Sequence, residues 1–395
     1  MPRPRADRRR PSRDTVATAG GAVLFALSLG LATVALPLLA IQAGYSAAEI
    51  GVLTATSALS QMATRLVLGP AMRVVPEWVL VVAAGLLLAA SSGLVAASSA
   101  LTAFVSAQLM QGVARACFWT GTQTHVVRGD RSAVGGLAMV NLLANAGLVI
   151  GPVLAGVLTE RSPQLALGVG ACIAAVGCVP AVLLKRLPPF SPPSDRPPGR
   201  LWRRPGVDAG CWAGVTTGTW RGLLGSYVPV ALSAAQLSSS TIGVLVSVAS
   251  SAALAGAGIV ARLRLVRRLV WAYALGAAAT GVATALIALL AGSPWAVGAA
   301  LAVSGLGAGA LQTVGPAMAA ESVHPQERGD VIAVTGTFRA GALFVAPLAI
   351  AGMLAAVPLT LAMGAVGTAI ALPALTVRRL RRRIGPASSL QQTGV

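Results

Sequence analysis

Four arginines, Arg65, Arg115, Arg221 and Arg339, stand inside long apolar stretches of a 395-residue chain. A guanidinium keeps its charge in a protein, and a charge at the middle of a bilayer costs about 3 kcal/mol on insertion scales. Such a residue marks a pathway or binding site, or is paired with an acid or a helix-end carbonyl. The apolar interiors hold almost no partner acid, since Glu49, Asp208, Glu321 and Asp330 all fall at stretch ends. Arg115 and Arg221, each near the centre of its stretch, are therefore candidate ligands for a negatively charged group. Arg65 and Arg339 are read as lying nearer the ends on the side of the basic tails, where long side chains can snorkel to the headgroups.

The neighbours of these two cations fit the same reading. On a helical wheel, Gln108, Gln111, Arg115, Trp119 and Thr122 share one face. Thr217 and several glycines flank Arg221, with Trp212, Thr216 and Trp220 on the adjoining arc. Gln312, in a later stretch, joins the candidate set. Polar groups, cations and aromatics at one depth suit an amphipathic or anionic small molecule. Gly147, Gly151 and Gly156, with Pro152 and Pro347, are candidate gating positions, because glycine permits close helix approach and proline can kink its helix. Plain helix packing is the competing reading for each of them.

The elements that must hold these residues are membrane spans. Only 10% of the chain is charged, against about 25% in a soluble domain. Apolar runs predict spanning helices over 16–41, 48–72, 78–98, 101–125, 133–158 and 164–184, then over 208–233, 240–261, 269–291, 294–320, 329–354 and 357–377. Between the sets, 185–205 carries Pro188-Pro189, Pro192-Pro193 and Pro197-Pro198 among basic residues, and reads as a solvated linker. The organisation expected is a basic tail (1–14), a six-helix bundle (15–184), a linker (185–206), a second six-helix bundle (207–378) and another basic tail (379–395). The fold class is thus an all-α membrane protein of twelve transmembrane helices in two pseudo-symmetric bundles.

Charge sets the orientation. With the N-terminus inside, the basic residues outside the helices crowd the tails, the linker and the inner loops, including Arg73, Arg128 and Arg328, whereas the outer loops hold Arg161 alone. That asymmetry places both termini in the cytoplasm of a multi-pass plasma- or inner-membrane protein. The net charge of +19 then serves anionic lipid headgroups rather than nucleic acid. The first apolar run is too long for a signal peptide. Cys117, Cys172, Cys178 and Cys211 form no C-x-x-C and sit in or beside apolar runs, so no metal or disulfide is expected.

The two sets look duplicated. Ser46–Leu53 (SAAEIGVL) resembles Ser238–Leu245 (SSSTIGVL), and Arg128-Gly129-Asp130 recurs as Arg328-Gly329-Asp330. In the fifth predicted helix, Gly147, Gly151, Pro152, Ala155 and Gly156 resemble the antiporter motif of the major facilitator superfamily, and Gln111-Gly112-Val113-Ala114-Arg115 is similar to that family's fourth-helix segment. The resemblance implies that helices 1, 4, 7 and 10 line a central cavity. It also implies the drug and metabolite exporter branch. Two departures stand out. Gly69–Trp78 aligns with the loop pattern G-x-x-x-D-R-x-G-R-R, but puts Arg73 at the Asp and Pro76 at the second Gly. Gln108 stands where the fourth-helix motif has Arg.

The reading that follows is a secondary transporter of a small organic solute working by alternating access, with no cofactor, and acting as a monomer. Export of an anionic or amphipathic compound is favoured by the helix-5 motif. Uptake of a small organic anion and a non-transporting receptor or scaffold on the same fold are the alternatives. A membrane enzyme is disfavoured, because no acid pair or His cluster lies at one depth. A coupling proton is left open: Glu49, His125 and His324 alone could titrate near the pathway.

Overall fold

The computed structural model describes residues 12–72, 74–128, 133–187, 202, 204, 206–261, 266–323 and 328–376. Among them the chain is helical throughout: α1 (Arg13–Gln42), α2 (Ala47–Ala71), α3 (Glu77–Ala97), α4 (Leu101–Arg128), α5 (Ala133–Thr159), α6 (Pro163–Val176) and α7 (Cys178–Val182) come first. Then follow α8 (Val207–Leu224), α9 (Tyr227–Ala234), α10 (Ser239–Ala261), α11 (Val266–Leu286), α12 (Pro294–Glu321), α13 (Arg328–Met353) and α14 (Leu359–Ala371), closed by a 3-10 turn over Leu372–Thr376. Most of the linker and tails, with Arg73, His324 and Gly129-Asp130, lie outside the described residues.

Among the described residues, eight helices are long and apolar enough to cross a membrane. α2 and α4 are not among them, because Arg65, Arg115 and their polar neighbours interrupt the apolar run. Two spans expected to be continuous are broken. The stretch 208–233 divides at Gly225-Ser226 into α8 and α9. The stretch 164–184 divides at Gly177, just before the Pro180 turn. Proline and glycine at these points forfeit helical hydrogen bonds and backbone order.

The packing partners repeat along the chain. α1 packs on α5, α2 and α3 on α4, and α3 on α6. Correspondingly, α8 packs on α13, α10 and α11 on α12, and α11 on α14. Between the N-terminal half (α1–α7) and the C-terminal half (α8–α14) run two main seams, α5 against α10 and α2 against α13.

The buried cores are unevenly shared. At the end of the bundle away from the chain termini, one large cluster joins Leu31, Val34 and Ala155 to Tyr227, Ile242, Val246 and Ile350. A second places Val230 among Leu36, Leu39, Ile50 and Phe104. At the end bearing the termini the clusters are confined to one half each: Phe25, Leu88 and Phe118 in the first, and Tyr273, Leu311 and Val314 or Val207 and Val331 in the second. Among the described residues, no apolar cluster closes the two halves together at that end.

Candidate functional site

Arg115 lies at the middle of α4. Gly112 of the same helix is held against α2, where Ser60 Oγ donates to Leu109 O at 2.9 Å. Phe118 stacks on Phe25 of α1, with ring centroids 3.8 Å apart. Arg115 projects from the arc between these two contacts, which faces the centre of the bundle. Its Nη2 donates to Gln111 Oε1 at 2.6 Å, while its buried Nε and the buried Gln111 Nε2 have no hydrogen-bond partner. Gln108 is buried on the same face. Trp119 sits edge-on to Phe118, at 5.4 Å between centroids, so part of its ring is committed to the core.

Arg221 occupies the last turn of α8. A glycine row, Gly210, Gly214, Gly218 and Gly222, lets α13 lie against α8: a Cβ at Gly214 would stand 2.8 Å from Thr335 O, and one at Gly218 would strike Arg339 O. The opposite edge of α8 packs on α12 through Ala213 and Gly315. Arg221 emerges between the two, again toward the centre. The break at Gly225 leaves α8 ending beside this cation, so the negative end of the helix dipole offsets part of its burial cost.

Other members of the candidate set are placed differently from one another. Thr217 Oγ1 donates to Ala213 O of its own helix at 2.8 Å. Trp220 is 2% exposed, and its Nε1 donates to Ser304 Oγ of α12 at 3.2 Å. Its ring joins the core between α8 and α12. Gln312 is exposed, on the arc of α12 between Gly305 and Gly309, which meet α10, and Gly315, which meets α8.

Arg339 corrects the sequence reading. It is not near a helix end but at the middle of α13, where snorkelling to a headgroup is out of reach. The glycine row of α8 brings the α13 backbone so close that a Cβ at Gly214 would lie 3.6 Å from Arg339 Cβ. Arg339 thus lies against the stretch of α8 that carries Arg221. Arg65 lies about 9 Å below the middle of α2, six residues at 1.5 Å each. Its Nη1 comes within 3.9 Å of where a Cβ at Gly336 of α13 would stand, one turn before Arg339. Among the described residues no carboxylate pairs with any of the four. Sequence spacing alone missed this row, although Gly210-x3-Gly214-x3-Gly218-x3-Gly222 was the available signal for a close α8–α13 approach.

The gating candidates separate by seam. Gly147 and Gly151 hold α5 against α1 within the first half: a Cβ at Gly151 would lie 2.6 Å from Gly30 Cα. Gly156 instead meets α10 of the other half, its Cβ position 3.2 Å from Gly243 Cα. A Cβ at Gly243 would strike Pro152 O, and one at Gly51 would lie 3.0 Å from Pro347 O. The two copies of Ile-Gly-Val-Leu thus each bring their glycine to the helix proline of the opposite half.

At the terminus-bearing end, Arg128 ion-pairs with Glu77, which is 2% exposed at the start of α3. His125 Nε2 lies 3.0 Å from Asp14 Oδ1, and that oxygen accepts from Lys185 N at 2.8 Å. Both networks fall within the first half and tie α1, α3, α4 and the start of the linker together. Their signal in sequence was opposite charge at matching depth on neighbouring helices. Gly69 lies in the last turn of α2, and Arg328 opens α13.

Residues 18–347 match the profile of the Major Facilitator Superfamily. The chain belongs to the major facilitator superfamily. It is accordingly a multi-pass membrane protein and a transporter rather than an enzyme. Among solved structures it is similar to a POT family transporter in complex with 5-aminolevulinic acid, at 12% identity and a TM-score of 0.76, over 94% of this chain and 96% of that one. It is also similar to a mutant of the nucleoside transporter NupG, at 10% identity and a TM-score of 0.74, over 92% and 97%. At such identities these likenesses establish the fold. A comparison with curated proteins gives no match.

Proposed function

We propose that this superfamily member is a secondary transporter that exports an anionic or amphipathic organic solute by rocking two six-helix bundles about a central cavity. The observation that carries the reading is a guanidinium from each half, Arg115 of α4 and Arg221 of α8, turned toward the bundle centre with no carboxylate paired to either among the described residues. Like charges in a low-dielectric cavity repel, and neither can be relieved by deprotonation. An anion between them removes that cost and draws the halves together. Gln108, Gln111, Thr217 and Gln312 add polar contacts or cavity lining. Trp119 offers a stacking face, whereas Trp220 serves the α8–α12 contact.

The repeated packing pairs support twelve spans in two bundles, with α6–α7, α8–α9 and α14 with its 3-10 turn each counted as one span. The basic tails and linker support a cytoplasmic location for both termini, in contact with anionic lipid. With that orientation the cross-half cores sit at the outer end, so the cavity opens to the cytoplasm. Export rests on the helix-5 motif, whose Gly156 is built into a seam between the halves. With no carboxylate in the helix interiors, exchange against another anion is favoured over coupling to a proton.

The test is transport by purified protein in liposomes of known orientation, across anionic, neutral and cationic solutes. Wild type should carry anions, and Arg115→Ala should lose about a hundredfold or more of that flux, as expected for a buried charge contact, while remaining folded. A cationic dye carried equally by both proteins would overturn the anion site. Flux confined to the uptake direction would overturn export alone.

A further inference from the structure

The anion site continues past the two arginines that define it. Arg221 on α8, Arg339 on α13 and Arg65 on α2 follow one another along the α8–α13 and α2–α13 contacts, and Arg115 on α4 faces the same bundle centre, two cations from each half. The row is fixed by backbone packing rather than by flexible reach. Arg339 stands at the midpoint of α13, with its Cβ against the Gly214 position of α8. Arg221 follows Gly218 by three residues on that helix, near the arc that meets Arg339. Arg65 reaches α13 at Gly336, one turn before Arg339. Among the described residues, every Asp and Glu sits at or just beyond a helix end, and the guanidinium groups of Arg221, Arg339 and Arg65 are in no ion pair.

One anionic group can lie between two guanidinium groups and accept from both. Four cations then leave two uncompensated when a monoanion binds. We propose that the solute is a small organic dianion, one charge held by Arg115 and Arg221 and the other by Arg339 and Arg65, with Arg339 as the residue that selects for the second charge. This rests on the anion-carrier reading above and narrows its substrate class. It also bears on movement: Arg65 and Arg339 belong to opposite halves and meet across the α2·α13 seam, so the second charge joins the halves at a point the first does not reach.

The experiment uses the full chain in detergent and in liposomes, with matched probes differing by one charge: benzoate against phthalate, and butyrate against succinate. Binding is followed by tryptophan fluorescence and transport by counterflow. Wild type should prefer each dianion by about tenfold or more, the equivalent of one lost buried charge contact. Arg339→Gln should abolish that preference, weakening phthalate and succinate binding far more than benzoate and butyrate binding, and Arg339→Lys should restore part of it. Without any anion, Arg339→Gln should also melt at a higher temperature, because it removes an uncompensated buried charge; an arginine kept only for packing would make it melt lower. Equal binding of mono- and dianions by wild type, or a preference that survives Arg339→Gln, overturns the dianion site and leaves the anion carrier standing. Binding of a rhodamine cation with no anion bound overturns both.

Discussion

At the α5·α10 seam, Gly243 rests on the Pro152 carbonyl and Gly156 on Gly243, backbone against backbone, with Ser247 Oγ donating to Val149 O at 2.7 Å. At the α2·α13 seam, Gly51 faces the Pro347 carbonyl in the corresponding way, but Tyr227 is wedged in. Tyr227 is fully buried, and its Oη donates to Pro347 O at 3.2 Å. The same glycine and the same proline therefore serve two differently closed contacts. One seam is sealed by main chain, which cannot yield without moving a whole helix. The other is sealed by one side chain, Tyr227 at the start of α9, and continues below into Arg65 and Arg339. The seam that carries Arg65 and Arg339 is the adjustable one, because a side chain can shift where a backbone cannot.

The largest effect expected is from Gly243→Ala. Its methyl would meet the Pro152 carbonyl and stand 3.0 Å from Gly156 Cα, so α5 and α10 must separate. Overpacking of this kind costs about 1–3 kcal/mol or more. A clear fall in detergent melting temperature with loss of transport is the expected result. Unchanged behaviour would show that the main-chain seam is as adjustable as the other.

A smaller effect is expected from Gly51→Ala, whose methyl meets the Tyr227 hydroxyl. Alone it should destabilise by about 1–2 kcal/mol, the lower part of the overpacking range. Combined with Tyr227→Leu, which removes the obstructing ring end, the pair should recover part of the loss in a double-mutant cycle. Strict additivity would break the contrast between the seams.

The smallest effect is expected from Ser247→Ala. It deletes one side-chain hydrogen bond to the Val149 carbonyl, worth about 1 kcal/mol or less. Melting temperature should fall slightly and transport should persist, since the glycine contact beside it carries the seam.

What the sequence determined by itself was local and one-dimensional. Hydropathy placed the helices, because each apolar run must satisfy its own backbone in lipid. The glycine in each Ile-Gly-Val-Leu copy and the prolines Pro152 and Pro347 could be matched between the two sets by position. Arg115 and Arg221 were readable as central, uncompensated cations, because depth along a helix follows directly from residue number. The breaks at Gly225 and Gly177 were not read, since a glycine within an apolar run is compatible with a continuous helix. The tertiary structure decided which arcs meet. It put the Trp220 indole on Ser304 of α12, and divided the helix-5 motif between α1, which takes Gly147 and Gly151, and α10, which takes Gly156. It also drew Arg339 from an expected headgroup contact into the row with Arg221 and Arg65. Helical periodicity gives the direction of a side chain relative to its own axis. The neighbour it finds depends on how closely two helices approach, and at α8 and α13 that was set by four glycines on the partner helix.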